Sequence, residues 1–309
     1  MQGYVAVTDP GWHAHLARTP DPKDANFWKP SARAFRLDVG TPFFFKIKAP
    51  HNAIAGFGYF AGFSVLPDWM AWETFGESNG VGSLAELRAR LRRVQDGARI
   101  EPDPTGRIGC CLIAESCFFP PSDWVPPPAS WSPRTQTGAR LDLESAEGQR
   151  VWNECVVRSA PIRGVSNIAA PEDRLAARYG TPTLHLPRLG QGIFRVKVLD
   201  AYERACAVTG EHSLPVLEAA HIRPYSEGGQ HAVTNGLVLR SDIHRLFDTG
   251  YVTVSERGLF VVGRRLNDEF ENGASYYKLQ GQPVAIPKHG DHTPDRLALE
   301  WHRSTRFRG

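Results

Sequence analysis

Two short apolar segments, joined by a glycine-rich turn and followed by a short helical pattern, most constrain the fold of this chain. The first segment, 216–222, and the second, 235–239, each have the length of a strand, and Gly228-Gly229 between them marks a tight turn. A helix is predicted over 241–247. The sequence therefore predicts a compact strand–turn–strand–helix unit in this part of the chain.

The predicted helix has the usual signals of a helix start. Ser241 is expected to be its N-cap, and Asp242 lies in the first turn, where the helix dipole favours a carboxylate. His244 and Asp248 are four residues apart, so their side chains are expected to share one face of the helix.

Three polar residues stand at defined places in this unit. His221 lies near the end of the first strand, Asn235 begins the second, and His244 lies on the helix. A neutral imidazole is the natural general base near pH 7, and a second histidine, with or without a carboxylate, can hold a divalent metal. An asparagine can lock a loop through backbone hydrogen bonds. Because phosphodiester hydrolysis needs an activated water and stabilised charge, the pattern suggests a metal-assisted nuclease site.

Length and composition set broad limits. The chain has 309 residues, about right for two domains, and its net charge of +3 permits nucleic-acid binding without arguing for it. No apolar run reaches the ~20 residues of a membrane span, and the N-terminus lacks a secretion signal. The five cysteines form no obvious disulfide framework. A cytoplasmic protein with no membrane partner is expected.

The segment 204–254 contains Arg-Ala-Cys-Ala-Val-Thr-Gly, Ala-Ala-His-Ile, Gly-Gly, Asn-Gly-Leu and His-Arg-Leu-Phe-Asp-Thr-Gly in order. This series resembles an HNH endonuclease domain of the ββα-metal group. The resemblance implies a catalytic set of His221 as general base, Asn235 as the structural asparagine and His244 as a metal ligand. It also implies a divalent metal cofactor, Mg²⁺ or a transition metal such as Mn²⁺, Ni²⁺ or Zn²⁺, and double-stranded DNA as the partner.

The sequence departs from many HNH domains before the base histidine. Many of them carry a metal-binding Asp there, whereas this chain has Ala220. The remaining metal ligands are expected to be Asp248, Asp242 and Glu218, in that order, with Asp248 first because it lies one helical turn from His244.

A second departure concerns cysteine. The positions that match paired Cys-x-x-Cys knuckles read Cys206-Ala-Val-Thr and Arg-Ser-Asp-Ile. One thiolate cannot make a tetrahedral zinc site, so no structural zinc is expected. Cys206 is predicted to be a buried core thiol.

Further polar residues flank the site. Arg223, Arg240 and Arg245 are candidates for phosphate contacts, and solvated surface arginines are an equally weighted alternative. His212 and His231 lie nearby without a motif role, and both are interpreted as turn residues.

The N-terminal half predicts a β-rich domain. Residues 19–30 are expected to form a loop, and 120–137 an irregular segment. Ser83 and Glu86 form a capping-box pattern at a helix start. The predicted strands are 4–8, 42–48, 54–65 and 108–119, and the predicted helices are 10–18, 67–75, 83–94, 145–158 and, further along, 192–204.

A strand, helix and loop followed by glycine-rich aromatic strands resembles the PUA-like superfamily, which includes SRA, EVE and YTH-type modules that read modified bases. The loop aromatics Trp12, Phe27 and Trp28 are candidates to stack on a base, and Lys29 is a candidate for contact with the DNA backbone. Arg33, Lys46 and Lys48 are further candidates for the backbone. The alternative for the strand aromatics, such as Phe43–Phe45, is that they form the core.

The predicted architecture is an α+β chain with a PUA-like barrel domain over 1–165, a linker over 166–185 and a ββα-metal HNH domain over 186–309. Such fusions occur in modification-dependent restriction enzymes, so recognition of modified cytosine is the leading hypothesis. An HNH nuclease without modification preference is the first alternative. A DNA- or RNA-binding protein that has lost catalysis is the second, which Ala220 makes conceivable. Cutting both strands needs two active sites, so a homodimer on DNA is a reasonable expectation.

Overall fold

The computed structural model of the protein describes residues 1–19, 24–163 and 188–309. The chain divides into two units, Met1–Gly190 and Gln191–Gly309. The predicted linker, 166–185, lies outside the described residues. The predicted α+β class is confirmed, with a β-rich N-terminal unit and a ββα arrangement in the C-terminal unit.

One six-stranded sheet organises the N-terminal unit. Its strands lie in the order β2-β5-β4-β3-β1-β6. β1 runs parallel to β3, and all other neighbours in this sheet are antiparallel. The bounds are β1 Gln2–Thr8, β2 Asp24–Lys29, β3 Pro42–Ile47, β4 Ile54–Pro67, β5 Arg107–Phe118 and β6 Gly138–Asp142.

Strand β2 corrects the loop predicted over 19–30, and strand β6 lies in a segment for which the sequence predicts no element. They occupy the two edges of the sheet, and each is hydrogen-bonded to one neighbouring strand. β2 is short and is held by pairing with β5, from Asp24 opposite Ala114 to Lys29 opposite Gly109. Short edge strands have weak local signals, and pairing with a distant strand decides their conformation.

Asp9 and Ser83 each cap the start of a helix in the N-terminal unit. Asp9 accepts the Trp12 backbone N–H at 2.9 Å, and Ser83 accepts the Glu86 backbone N–H at 3.1 Å. The Glu86 carboxylate accepts the N–H of Gly82, so the capping box is only half formed. The bounds are α1 Pro10–Leu16, α2 Asp68–Phe75, α3 Leu84–Ala98 and α4 Ala146–Ile162, with 3₁₀ turns at Gly76–Asn79 and Pro121–Asp123.

Aromatic side chains pack on both faces of this sheet. Along β3 the side chains alternate, so Phe43 and Phe45 join one buried cluster and Phe44 joins another. The first cluster includes Trp12 of α1, and the second includes Trp152 of α4. The interpretation of the strand aromatics as core is therefore confirmed.

Trp12, Phe27 and Trp28 do not lie on loops, and Trp12 lies instead on the helix predicted over 10–18. Trp12 lies on α1 with 3% of its surface exposed, and its indole N–H donates to the Asn26 carbonyl at 3.3 Å. Phe27 and Trp28 lie in β2, and the Phe27 ring is 5.4 Å from that of Trp12. Trp12 thus has no free face for a base to stack on, because apolar burial has already used both sides of the ring. Lys29 lies at the end of β2 with its ammonium 4.6 Å from the Phe35 ring centroid.

The C-terminal unit contains the predicted strand–turn–strand–helix order. Its first two strands pair antiparallel, with His221 opposite Gly236. Its last helical segment is a π-type turn, His302–Arg306. The bounds are α5 Gln191–Ala201, β7 Leu217–His221, β8 Gly236–Arg240, α6 Ser241–Asp248, β9 Val252–Val254, β10 Phe260–Val262, α7 Arg265–Phe270, α8 Ala274–Tyr277 and α9 Arg296–Trp301, with 3₁₀ turns at Leu214–Val216, Tyr225–Glu227, Val233–Asn235 and Gly290–His292.

Two local features of this unit bear on the predictions. Helix α6 begins at Ser241 with Arg240 at the N-cap position, and no side chain caps it, so the expected role of Ser241 is wrong. Cys206 has 1% of its surface exposed, and its sulfur accepts the Arg240 N–H at 3.4 Å, which confirms a buried thiol. Gly236 is required by packing, since a Cβ there would lie 2.5 Å from a Val198 methyl group. No helix among the described residues is long and apolar enough to cross a membrane.

A buried histidine fixes the far end of α6. The His302 ring stacks on Phe247 with centroids 3.6 Å apart, donates from Nε2 to the Phe247 carbonyl at 3.0 Å and accepts the Thr253 hydroxyl at Nδ1 at 2.9 Å. Burial lowers the pKa of His302 to about 4, while the bond to the Phe247 carbonyl opposes that shift. His302 is therefore neutral at pH 7, and it anchors the helix that carries His244.

We predict that His302 makes the stability of the protein fall in acid. Between its folded pKa of about 4 and the unfolded value of 6.5, the unfolded state binds more protons, so the free energy of unfolding decreases as the pH falls through this window. The full effect is about 3 kcal/mol, since one pKa unit corresponds to ~1.4 kcal/mol. Urea unfolding of wild type and His302→Gln at several pH values measures it. The variant should be less stable at pH 7 and show a weaker acid decrease.

The matched control is His212→Gln, because His212 is an exposed histidine of the same unit. It should follow the wild-type pH dependence. Parallel curves for wild type and His302→Gln would contradict the prediction.

Candidate active site of the C-terminal unit

The hairpin of β7 and β8 and the following helix α6 carry the predicted residues on consecutive elements. His221 is the last residue of β7, and Asn235 ends the 3₁₀ turn that leads into β8. Helix α6 follows β8 directly and carries His244 and Asp248 one turn apart. The short connections leave these side chains little freedom of placement.

Asn235 closes the loop of the hairpin. Its side chain is buried, its Oδ1 accepts the Arg223 N–H at 3.0 Å, and its Nδ2 donates to the carbonyls of Arg223 and Gln230, each at 2.9 Å. Gly229 belongs to the same closure, because a Cβ there would lie 1.9 Å from the Arg223 carbonyl oxygen. Asn235 thus supports the loop between the two strands, and its hydrogen bonds are to backbone groups.

His221 lies between aromatic rings. Its imidazole stacks on Phe194 of α5 with centroids 4.0 Å apart and planes at 13°. Its Nε2 lies 3.0 Å from Nδ1 of His231. Burial, with smaller contributions from His231 and His244, lowers the pKa of His221 to about 4. The ring is therefore unprotonated at pH 7, as a general base must be.

His231, which the sequence placed in a turn, contacts His221. Its ring stacks on Tyr225 with centroids 4.7 Å apart and planes at 6°, and burial lowers its pKa. The sequence signal for this contact is that His231 lies in the loop between β7 and β8. The loop of a hairpin stays close to the end of the first strand, where His221 lies.

His244 lies between two carboxylates. Its Nδ1 is 2.6 Å from Oε2 of Glu218, and its Nε2 is 3.3 Å from Oδ2 of Asp248. An ionised carboxylate only accepts hydrogen bonds, so Nδ1 of His244 carries a hydrogen and donates it in a hydrogen bond to Glu218. Burial raises the pKa of Asp248, with Glu218 acting in the same direction and His244 and Arg306 opposing it. A cation bound between Nε2 of His244 and Asp248 would stabilise the ionised form of this partly buried carboxylate.

Asp242, ranked second among the expected ligands, has other partners. The Arg240 guanidinium donates two hydrogen bonds to its carboxylate, at 2.8 and 2.6 Å, and the Tyr276 hydroxyl donates a third at 3.2 Å. These donors lower the pKa of Asp242, with the Arg240 bonds contributing most. Glu218, ranked third, is the carboxylate that joins Asp248 at His244. Glu218 therefore lies closer to His244 than Asp242 does in this structure, because Asp242 is engaged by Arg240 and Tyr276. Sequence spacing does not reveal these side-chain contacts.

The flanking arginines differ in how they are held. Arg223 donates from Nε to the Glu227 carbonyl at 2.6 Å and lies over the Trp301 ring, 5.5 Å from its centroid. Arg306, which sequence reasoning did not select, forms an ion pair with Glu227 at 2.6 Å. Arg245 is exposed, and its guanidinium makes no hydrogen bond or ion pair with another described residue. Of the three predicted arginines, Arg245 is the one with a guanidinium unengaged in the described structure.

The donor set fits a divalent metal with a sparse protein shell. One imidazole nitrogen and one carboxylate face each other at His244 and Asp248, and Glu218 holds the opposite nitrogen, which is the usual support of a metal-bound histidine. In the described part of the chain, no group of three or more His, Cys, Asp or Glu side chains is arranged to hold a metal ion. A hard cation such as Mg²⁺ commonly keeps several waters and takes few protein ligands.

Residues 206–255 match the model of the family described as HNH endonuclease. The predicted HNH endonuclease domain is confirmed. The matched segment spans the hairpin and the helix α6, and therefore His221, Asn235 and His244.

Solved structures give weaker likenesses. ASCH from Zymomonas mobilis has a TM-score of 0.32 and 13% identity, and covers 48% of this chain and 93% of its own. A point mutant of the same protein has a TM-score of 0.34 and 13% identity, with 48% and 96% covered. A structure described as the modification-dependent TagI restriction endonuclease has a TM-score of 0.29 and 13% identity, and covers 85% of this chain, which spans 60% of the TagI chain. No curated protein matches the sequence.

We predict that the activity of the protein declines only at unusually low pH. A histidine with a pKa of about 4 stays neutral further into acid than one with the ordinary value of 6.5. At saturating divalent metal, kcat/KM for DNA cleavage should therefore stay level from about pH 8 to about pH 5 and fall below that. Circular dichroism at each pH shows whether the protein remains folded. If kcat/KM instead fell with a midpoint between about pH 6 and 7, the group that titrates in the free enzyme would not be a histidine whose pKa is lowered by burial.

Proposed function

We propose that the protein is a metal-dependent DNA endonuclease in which His221 is the general base. One observation carries the proposal: inside the segment that matches the HNH endonuclease family, a neutral imidazole and a histidine–carboxylate pair are held on one hairpin and its following helix. The two histidines have different surroundings, with aromatic rings at His221 and carboxylates at His244.

The residues divide the hydrolysis of a phosphodiester between them. His221 takes a proton from the attacking water, which neutral imidazole does efficiently near pH 7. Asn235 holds the loop and so fixes the end of β7. His244 through Nε2 and Asp248 through its carboxylate would hold a divalent cation, while Glu218 keeps the proton on Nδ1 of His244. The cation, when bound, supplies positive charge for the phosphoryl and leaving oxygens.

Ala220, the residue before His221, is compatible with a metal held by His244 and Asp248. Ala220 has only a methyl side chain, which is fully buried and supplies no metal ligand. Glu218 lies two residues earlier in β7, on the same face because side chains alternate along a strand. Its contact with His244 gives this site a carboxylate on β7, although that carboxylate supports a ligand rather than replacing the missing Asp.

The first test is cleavage of plasmid DNA by the full chain. We expect nicking with Mg²⁺, Mn²⁺, Ni²⁺ or Zn²⁺, and its loss in excess EDTA. His221→Ala should reduce the rate by ~10²–10⁴-fold, the usual contribution of a general base, with DNA binding retained. His212→Ala is the matched control, because His212 is exposed and lies outside the site. Full activity in EDTA would refute the metal role, and wild-type cleavage by His221→Ala would refute the base.

We further propose that the N-terminal unit recognises modified cytosine. The support is the resemblance to PUA-like modules, together with an open cleft of about 550 Å³ in that unit. Phe35 and Phe63 line it together with Arg36 and Arg140, and the buried Phe60 lies beneath them in the core. A flat base can lie on aromatic rings, and arginines suit the adjoining phosphates. This cleft replaces Trp12 as the candidate contact with a base.

The second test compares cleavage of DNA that carries methylated, hydroxymethylated or ordinary cytosine, at one salt concentration. Modified DNA should be cut faster. Phe63→Ala should reduce that preference, because its ring lines the cleft, whereas Arg140→Ala should slow cleavage of all three substrates alike, because a phosphate contact does not distinguish bases. Arg134→Ala, at an exposed arginine outside the cleft, should change neither. Equal cleavage of all three substrates would favour an HNH nuclease without modification preference. Whether two copies act together on the duplex can be read from the oligomeric state on DNA.

A further inference from the structure

The contact between His221 and His231 restricts where the protons on the two rings can be. Nε2 of His221 and Nδ1 of His231 are 3.0 Å apart, so one hydrogen lies between them. Burial lowers the pKa of both rings, so each is neutral at pH 7 and carries a single N–H.

Two arrangements satisfy this contact. In the first, His221 donates from Nε2 to Nδ1 of His231, and Nδ1 of His221 keeps a free lone pair. In the second, His231 donates from Nδ1, and His221 carries its proton on Nδ1 with its only lone pair already used. Only the first arrangement leaves His221 able to accept a proton from water. No described residue is hydrogen-bonded to Nδ1 of His221.

We propose that His231 is a positioning residue that fixes His221 as the tautomer protonated at Nε2, which makes Nδ1 the atom that accepts the proton. This inference deepens the proposed function and rests on His221 being the base. During attack, a water proton moves to Nδ1 of His221 and the water oxygen bonds to phosphorus. The bond from phosphorus to the leaving oxygen breaks, and that oxygen takes a proton from solvent. The imidazolium keeps its Nε2–H bond to His231.

The fold holds His231 in the orientation that this role needs. Its ring is stacked on Tyr225, and the backbone before it is fixed because Asn235 donates to the Gln230 carbonyl at 2.9 Å. On the other side, Phe194 lies parallel to the His221 ring and limits its rotation. Four rings, Tyr225, His231, His221 and Phe194, therefore define the plane and the direction of the contact.

The tautomer can be observed without DNA or metal. Nitrogen-15 NMR of the full chain, with histidine resonances assigned through His221→Gln and His231→Gln, distinguishes protonated from unprotonated ring nitrogens. The proposal requires the His221 signal of an Nε2–H tautomer at pH 7. An Nδ1–H tautomer, or equal exchange between the two, overturns it.

Kinetics of the full chain provide the second measurement. His231→Phe keeps a ring against Tyr225 but removes the acceptor, and should lower kcat by ~10–100-fold, the usual cost of losing a group that orients a functional histidine, with KM unchanged. His231→Asn places an amide oxygen near the former Nδ1 and should restore most of kcat. His212→Phe is the matched control and should behave as wild type. A wild-type kcat for His231→Phe, or no recovery with Asn, overturns the positioning role.

The two levels of the proposal fail separately. If His221→Ala cleaves DNA like wild type, the base assignment fails, whatever the tautomer. If His221→Ala is inactive but the NMR signal shows Nδ1–H, the base assignment stands and the role of His231 fails.

Discussion

The rest of the site depends on the buried amide of Asn235. One side chain accepts the Arg223 N–H and donates to the carbonyls of Arg223 and Gln230, so it ties both ends of the loop between β7 and β8. A buried amide left without these partners would be costly, and this cost gives the loop one preferred conformation. The end of β7, with His221, and the loop residue His231 both take their positions from this closure.

The same hairpin separates two kinds of environment for histidine. His221 is stacked on Phe194 and hydrogen-bonded to another imidazole, and burial in these surroundings lowers its pKa and favours its neutral form. His244 contacts carboxylates at both nitrogens, which suits a cation in its neighbourhood. A proton acceptor and a candidate metal ligand thus arise from one residue type, because the elements around them differ in polarity.

The N-terminal unit shows where local patterns predict well. The long strands β4 and β5 and the helices α1 and α3 were predicted close to their observed bounds, because their apolar runs and capping residues Asp9 and Ser83 act locally. The edge strands β2 and β6 were not predicted, since their conformation comes from pairing with residues far along the chain. Trp12 was predicted to be available to a base, yet the core covers it.

The sequence by itself determined the order of hairpin and helix and made His221, Asn235 and His244 the candidate site residues, because periodicity, turn glycines and residue chemistry are properties of neighbours along the chain. Only the tertiary structure decided that His231 contacts His221, that Glu218 rather than Asp242 contacts His244, and that Trp12 is buried. Each of these depends on a distance of a few ångströms between side chains on different elements. Sequence spacing does not define such distances, because they are set by how the hairpin, the helices and the sheet pack.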